Sequence, residues 1–493
     1  MFIEYLIIGV YSISLVLIFL YALAQLNLLF NYIKARKSED DSEKFDFSNS
    51  EEIPFVTIQL PVYNELYVME RLLKNIAKLE YPREKLEIQV LDDSTDESVG
   101  ITAKLIKEIQ KEGLDIQHIR RSNRQGFKAG ALKEGLETAK GEFIAIFDAD
   151  FLPKKDFLKK TIPYFIDKKV GVVQTKWTHI NENYSKLTQI QAFGLDAHFT
   201  IEQGGRNYGK YFINFNGTAG VWRKTCIEDA GGWSADTLTE DLDLSYRAQL
   251  KGWYFKYLEK VESPAELPAA MNALKNQQFR WTKGAAECTR KNLIRVLKTK
   301  DLPISTKLHS VFHLMNSFIF ICVFSVAILS IPIFYVKLHF IKYALLFKYA
   351  TGFISSMFFL LIFYWVAQRS LENNLLTTLK QFIWKFPLFL AVSMGMSLHN
   401  GIAVMEGYLG KKSPFVRTPK FNLEKSSDKW YGNKYLASSI GGVTILEGVL
   451  FIYFLGGIAL SFYYNSFGLL PLFLILSFGF GYVFFYSIFH SSK

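Results

Sequence analysis

The chain has 493 residues, a formal net charge of +11, half of its residues hydrophobic and 16% aromatic, so it is long enough for two or three domains and more apolar than an ordinary soluble protein. Its Lys and Arg are spread along the chain and gather partly at the edges of apolar stretches, which argues against a nucleic-acid partner. Cys226, Cys288 and Cys322 form no CxxC and no paired spacing, so neither a disulfide framework nor a zinc site is indicated.

Residues 5–33 carry no charge and exceed the length of a signal-peptide core, with no small-residue cleavage pattern after them, so residues 1–37 are expected to be a retained transmembrane anchor. Lys34, Arg36 and Lys37 close this stretch and place the following domain on the cytoplasmic side. Residues 38–52 are acidic and polar and read as a linker. A domain over 53–300 follows. β-rich runs at 55–60, 86–91 and 142–147 alternate with helical patterns at 72–79 and 102–111, which predicts an α/β fold, a mostly parallel sheet flanked by helices. Ligands of such sheets bind beyond the carboxyl ends of the strands, where the acidic motifs fall.

From residue 301 the chain reads as a membrane region. Apolar stretches at 309–336, 347–368, 440–464 and 467–489 bring the expected spans to about five, with the amino terminus outside. The segment 380–408 holds Lys385, Pro387, His399, Asn400 and Glu406 and reads as interfacial, which keeps the basic loop 411–429 cytoplasmic. Lys337, Lys342 and Lys348 then flank an outer loop, against the positive-inside rule. Glu447 is an acid in an apolar run and either faces a polar path or reaches water near the end of its span. The chain ends soon after the last apolar stretch, so no appended regulatory domain is expected.

The chemistry-bearing residues come in five groups, each with a bland alternative. Asp148 and Asp150 stand two apart at a strand end; if the strand continues they share a face, an arrangement suited to Mg²⁺ or Mn²⁺ beside a diphosphate, though a surface turn carries the same pattern. Asp92 and Asp93 follow a buried-looking strand and suit recognition of a base or ribose, or form a turn capped by Ser94 or Thr95. Lys128 offers a positive charge to a diphosphate, or is solvent-exposed. Glu240 and Asp241 begin a helical pattern at 242–250, as caps or as a carboxylate that removes a proton from an acceptor hydroxyl. Gln277, Arg280 and Trp281 join an amide, a permanent cation and a flat ring that stacks on sugars, or pack an interfacial helix.

Taken in order, these motifs resemble the D, DxD, TED, QxxRW signature of the processive family 2 glycosyltransferases, the cellulose synthase group. The strings QVLDDSTD (89–96), KAGALKEG (128–135), AIFDADF (145–151), FNGTAGVWR (215–223) and AGGW (230–233) are similar to the cellulose-synthase-like mannan, glucomannan and glucan synthases, over about residues 54–290. The resemblance implies a GT-A type nucleotide-sugar-binding domain inserted between transmembrane helices. It implies that Tyr63, Glu65 and Asp93 surround base and ribose, that Asp148 and Asp150 hold Mg²⁺ or Mn²⁺ with the diphosphate, and that Asp241 is the base. It further implies that Gln277 and Arg280 line the donor pocket, that Trp281 holds the terminal sugar of the acceptor, and that Asn216, Gly217 and Thr218 lie near it. The stretch 414–420 is similar to the gating loop of cellulose synthase, with Arg417 in place of a Val and beside Thr418, within reach of the diphosphate. The expected activity is processive, inverting extension of a β-linked glycan from GDP-mannose or UDP-glucose, with export through the chain's own membrane helices. The alternatives are a non-processive enzyme acting on a membrane lipid, and a channel or carbohydrate-binding protein with no catalysis.

Overall fold

The structure is a computed structural model that describes residues 2–35, 53–413, 415–425, 427–435 and 441–491. The expected linker 38–52 and Pro414 lie outside the described residues.

Seven strands form one sheet in the order β3-β2-β1-β4-β6-β5-β7: β1 Val56–Val62, β2 Leu86–Asp92, β3 Asp115–Ile119, β4 Phe143–Ile146, β5 Val170–His179, β6 Gly220–Arg223 and β7 Tyr254–Ala265. All run parallel except β6, which is antiparallel to both β4 and β5. The sheet is covered on both faces. Along β4 the pleat sends Phe143 and Ala145 into one apolar core and Ile144 and Ile146 into the other. The first core takes Leu72 and Leu73 of the helix Met69–Ile76 and Leu105, Ile106 and Ile109 of Ser98–Lys111; the second takes Leu132 and Leu136 of Phe127–Thr138 and Leu244 of Glu240–Leu250.

This is the expected mostly parallel, helix-flanked sheet, with one local correction. β4 stops at Ile146, and Phe151 N–H donates to the Asp148 carbonyl at 3.1 Å, so Asp148 and Asp150 sit in a turn rather than on a continuing strand.

Among the described residues, five helices are long and apolar enough to cross a membrane: Phe2–Ala35, Asn316–His339, Leu375–Gly395, Gly442–Tyr463 and Leu470–Ser491. The number agrees with the sequence reading but the set differs. The stretch expected at 347–368 yields the 17-residue helix Ser355–Leu371, about 26 Å long, whereas Leu375–Gly395 falls in the region read as interfacial. The polar residues behind that reading belong mainly to a second helix, Ser397–Leu409, and Lys385 is neutralised by Glu182 of the sheet domain at 3.0 Å. Leu375–Gly395 also lays Phe382 and Phe389 against Phe193. It packs backbone to backbone on Leu470–Ser491: a Cβ on Gly395 would meet the Gly479 carbonyl oxygen at 2.3 Å, and one on Gly479 would meet that of Ala391 at 2.0 Å. Glu447 lines neither described cavity and does not reach water; it is fully buried against Lys275 at 2.8 Å.

Candidate functional site

A cavity opens at the carboxyl ends of β1, β2 and β4. The antiparallel run of β6 brings the segment before it, 214–219, to the same end. Tyr63 and Glu65 enter from β1, Asp93 from β2, Asp148 and Asp150 from the turn after β4, and Asn216 and Gly217 from the segment before β6. Glu240 and Asp241 enter from the first turn of Glu240–Leu250, and Gln277, Arg280 and Trp281 from the helix Met271–Lys298. Phe415, Arg417, Thr418 and Lys420 close it from the membrane region.

Two of the expected residues do not line it. Asp92 faces inward, fully buried, accepting from Ser94 N–H at 2.8 Å and bonded to His118 Nε2 at 2.7 Å. Strand alternation turns it away from the cavity that Asp93 faces. Thr218 is buried and its Oγ1 accepts from Asp148 N–H at 2.9 Å, so it shapes the turn that carries Asp148.

Four of the acids at the site, Glu65, Asp93, Asp148 and Asp150, are paired with cations. Arg121 grips Asp93 with two nitrogens, Nε at 2.9 Å and Nη2. Lys128 Nζ reaches Asp148 at 2.5 Å and donates to the Gly217 carbonyl at 2.9 Å. Lys420 Nζ reaches Asp150 at 2.5 Å, and Arg417 approaches Glu65 at 3.1 Å. Arg124 lies 3.3 Å over the Tyr63 ring. Phe415 stacks on Phe127 and takes the Arg280 guanidinium over its ring at 4.9 Å. Arg121 and Arg124 were missed in the sequence reading, and Phe415 and Lys420 lay in the stretch 414–420 read as similar to a gating loop without a role of their own. The run Arg120-Arg121-Ser-Asn-Arg124 at the carboxyl end of β3 was the available signal for the first two.

Asp241 and Glu240 share a buried corner. Burial and the neighbouring Glu240 push the Asp241 carboxyl up to about 7, and burial raises that of Glu240 as well. Burial pushes Glu65 up to about 8 despite Arg417. Burial alone would lower the Lys128 ammonium, but Asp148 and Glu240 outweigh it and raise it. Gly217, at φ +81°, makes this crowding possible: a Cβ there would stand 2.9 Å from Asp241 Oδ2 and 3.5 Å from Lys128 Nζ.

Buried Glu65 Oε2, Arg124 Nε, Arg417 Nη2 and Thr418 Oγ1 have no hydrogen-bond partner among the described residues. Such atoms cost free energy unless a ligand or water pairs with them, and together they offer both acceptors and donors to a polar, anionic guest. No group of three or more His, Cys, Asp or Glu suited to a metal occurs among the described residues. Asp148 and Asp150 do fit a hard divalent cation that takes its other oxygens from a bound diphosphate and water.

A second cavity adjoins the first and shares Leu195, Gln277 and Trp281 with it. Its remaining wall includes Gln191, Gln278 and Asn400 with Phe320 and Phe389, a mixture of amides and rings that continues into the membrane helices.

Residues 54–284 match the model of the family described as glycosyltransferase like family 2. A probable glucomannan 4-beta-mannosyltransferase 4 of Oryza sativa subsp. japonica is 42% identical over 288 residues, 57% of this chain and 52% of the relative. Glucomannan 4-beta-mannosyltransferase 9 of Arabidopsis thaliana is 37% identical over 316 residues, 61% of this chain and 58% of the relative. The chain spans about half the length of the curated relatives it matches. Among solved structures, mannosyltransferase PcManGT from Pyrobaculum calidifontis, in complex with GDP-Man and Mn²⁺, covers 82% of this chain and all of its own at a TM-score of 0.53 and 18% identity, a likeness of fold.

Proposed function

Because residues 54–284 form a glycosyltransferase family 2 domain with a GT-A-like fold, we propose that the chain is a membrane-embedded hexosyltransferase that extends a β-linked mannan or glucomannan processively, with inversion, from a nucleotide sugar. The observation that carries this reading is the junction at Trp281, which lines both the acid- and cation-rich cavity and the amide- and ring-lined cavity among the membrane helices. GDP-mannose is the favoured donor, in keeping with the names of the relatives, and UDP-glucose is the second.

Tyr63, Glu65 and Asp93 hold the nucleoside, with Arg124 and Arg417 beside them. Lys128 and Arg280 neutralise the diphosphate as it leaves. Asp148 and Asp150 would hold Mg²⁺ or Mn²⁺, which when bound withdraws charge from the leaving diphosphate. Trp281 places the terminal sugar of the acceptor across its ring, with Asn216 and Gly217 at the reacting end. The acceptor hydroxyl gives its proton to the Asp241 carboxylate as its oxygen bonds to the anomeric carbon, and the bond from that carbon to the nucleotide diphosphate breaks. One displacement inverts the anomeric centre. Burial, with Glu240 beside it, keeps the Asp241 carboxyl high enough to act as a base near neutral pH.

The chain between Lys298 and Phe415 leaves the catalytic domain and returns to it, so it crosses the bilayer an even number of times. Asn316–His339 and Leu375–Gly395, the two helices described in that stretch that are long and apolar enough to cross, make such a pair. An even number of crossings supports a cytoplasmic side shared by the domain and residues 415–420, in keeping with the basic flank at Lys34.

The test is a donor screen on purified protein that follows nucleotide diphosphate release, with and without Mg²⁺ or Mn²⁺, and sizes the product. A ladder of β-linked oligosaccharides is expected. A single sugar on lipid would sink the polymer reading, and unchanged function in Asp148→Asn and Asp241→Asn would replace it with a non-catalytic channel.

A further inference from the structure

Two buried lysines straddle the Gln277-Gln-Phe-Arg280-Trp281 motif on the helix Met271–Lys298. Lys275 stands two residues before Gln277 and Lys283 two residues after Trp281. Neither faces water: their side chains are 7% and 0% exposed. Each closes on an acid from outside the catalytic domain. Lys275 reaches Glu447 at 2.8 Å and Thr444 Oγ1 at 3.2 Å on Gly442–Tyr463. Lys283 reaches Glu406 at 3.1 Å on Ser397–Leu409 and also bonds Ser413 Oγ, just before the segment that closes the cavity.

The backbone of the same helix is tied down at its start. His399 Nε2 bonds the Lys275 carbonyl at 2.9 Å, Met271 N–H donates to His490 Nδ1 at 2.9 Å, and Asn272 Nδ2 donates to Ser491 Oγ at 2.7 Å. A buried ion pair is weak evidence for stability, since hydrophobic replacements of equal volume are often no worse, but it specifies one geometry and removal of one partner is costly. Hydrophobic contact alone would let the helix slide or rotate against its neighbours. Two charge pairs on either side of the motif fix both its rotation and its register.

We propose that Lys275–Glu447 and Lys283–Glu406 are positioning pairs that fix Trp281 at the junction between the two cavities, and so set the grip on the acceptor more than on the donor. This inference rests on the glycosyltransferase reading. The donor-side groups Asp93, Lys128 and Asp148 belong to other elements and are held by Arg121, by each other and by Gly217, whereas Gln277 and Arg280 share the helix with Trp281, so the donor feels the pairs through those two.

The experiment uses the full chain in lipid nanodiscs with Glu447→Gln, Glu406→Gln and the exchange Lys275→Glu with Glu447→Lys. Donor concentration is varied at fixed acceptor and the reverse, with β-1,4-linked mannohexaose as acceptor. Glu447→Gln keeps the volume and loses the charge; its acceptor KM is expected to rise about tenfold and its products to shorten, while donor KM, to which Gln277 and Arg280 of the same helix contribute, and donor hydrolysis without acceptor change by less than about threefold. Glu406→Gln is expected to behave alike, and the exchange to recover most of the acceptor KM. Wild-type acceptor KM in Glu447→Gln would overturn the inference, as would donor and acceptor parameters falling together. A wild type that transfers no sugar defeats the transferase reading and this inference with it; a wild type that transfers, with unaltered variants, defeats this inference alone.

Discussion

Lys420 and Asp150 lie 270 residues apart in the chain, yet the lysine ammonium sits 2.5 Å from the aspartate carboxylate and also donates to the Glu266 carbonyl at 2.6 Å. The ammonium therefore neutralises one of the two carboxylates proposed to hold a divalent cation. Lys420→Gln removes that competitor, and Mn²⁺ titrated without nucleotide is expected to bind about tenfold tighter, a difference of about 1.4 kcal/mol. Electron paramagnetic resonance of the free ion measures this directly. Equal affinity in the two proteins would show that the lysine and the cation do not exclude one another.

The proposed proton acceptor has a different signature. Asp241→Asn keeps the shape of the corner and removes the base, so transfer is expected to fall by about 10²- to 10⁴-fold with donor affinity preserved. The carboxyl at about 7 acts only when ionised, so kcat/KM of the wild type should climb through that pH and level off above it. The sign for stability is opposite. An unfolded Asp ionises near about 4, and the folded form favours the neutral acid up to about 7, so this group's contribution to stability is fully present at low pH and is lost as pH rises through that window. A flat rate profile between pH 5 and 8 would remove Asp241 from the role, the range being that in which such a group titrates.

Gly217 offers a test of crowding. Alanine there adds a methyl 2.9 Å from Asp241 Oδ2 at φ +81°, a conformation that costs a non-glycine residue about 1–2 kcal/mol. Transfer should drop by more than about tenfold in Gly217→Ala, with the thermal midpoint lowered by only a few degrees. Full activity would mean that the corner opens when substrates enter.

The adjacent aspartates should separate by phenotype. Asp92→Ala strips half-buried His118 and buried Ser94 of their partner, so a loss of about 2–3 kcal/mol of stability is expected with donor KM unchanged. Despite burial, His118 and Ser94 hold the Asp92 carboxyl below its usual range, so its contribution is present above the unfolded value near about 4 and is lost as pH falls through the lower folded value. Asp93→Ala should raise donor KM instead. Denaturant melts beside donor titrations read both effects, and a reversed pattern would overturn the assignment.

Much of this was legible in the residues because strands and their following loops are local. The run before Pro61, the acids after β2 and the turn after β4 were found where the fold puts them. The seam between Asp92 and Asp93 was not, because alternation along a strand had to be carried one residue further to tell a cavity face from a core face. Lys420 and Arg121 escaped for another reason: their partners are distant in the chain, and no periodicity announces a contact between residues 420 and 150. Glu447 was recognised as costly, but its partner sits on a helix of the catalytic domain, outside any pattern of the span itself. The set of membrane-length helices differs because Leu375–Gly395 and the polar residues of the following helix Ser397–Leu409 were read as one segment.

The touching backbones of Gly395 and Gly479 have a consequence for what can pass through this part of the molecule. Carbonyl oxygens that a single methyl group would strike leave no slit for an acyl chain between Leu375–Gly395 and Leu470–Ser491 along that stretch. Val392, Ser393 and Met396, which wall the second cavity, belong to the sealed flank. A guest in that cavity is therefore screened from lipid on this side, and an acceptor bearing a fatty tail has to come in by another route.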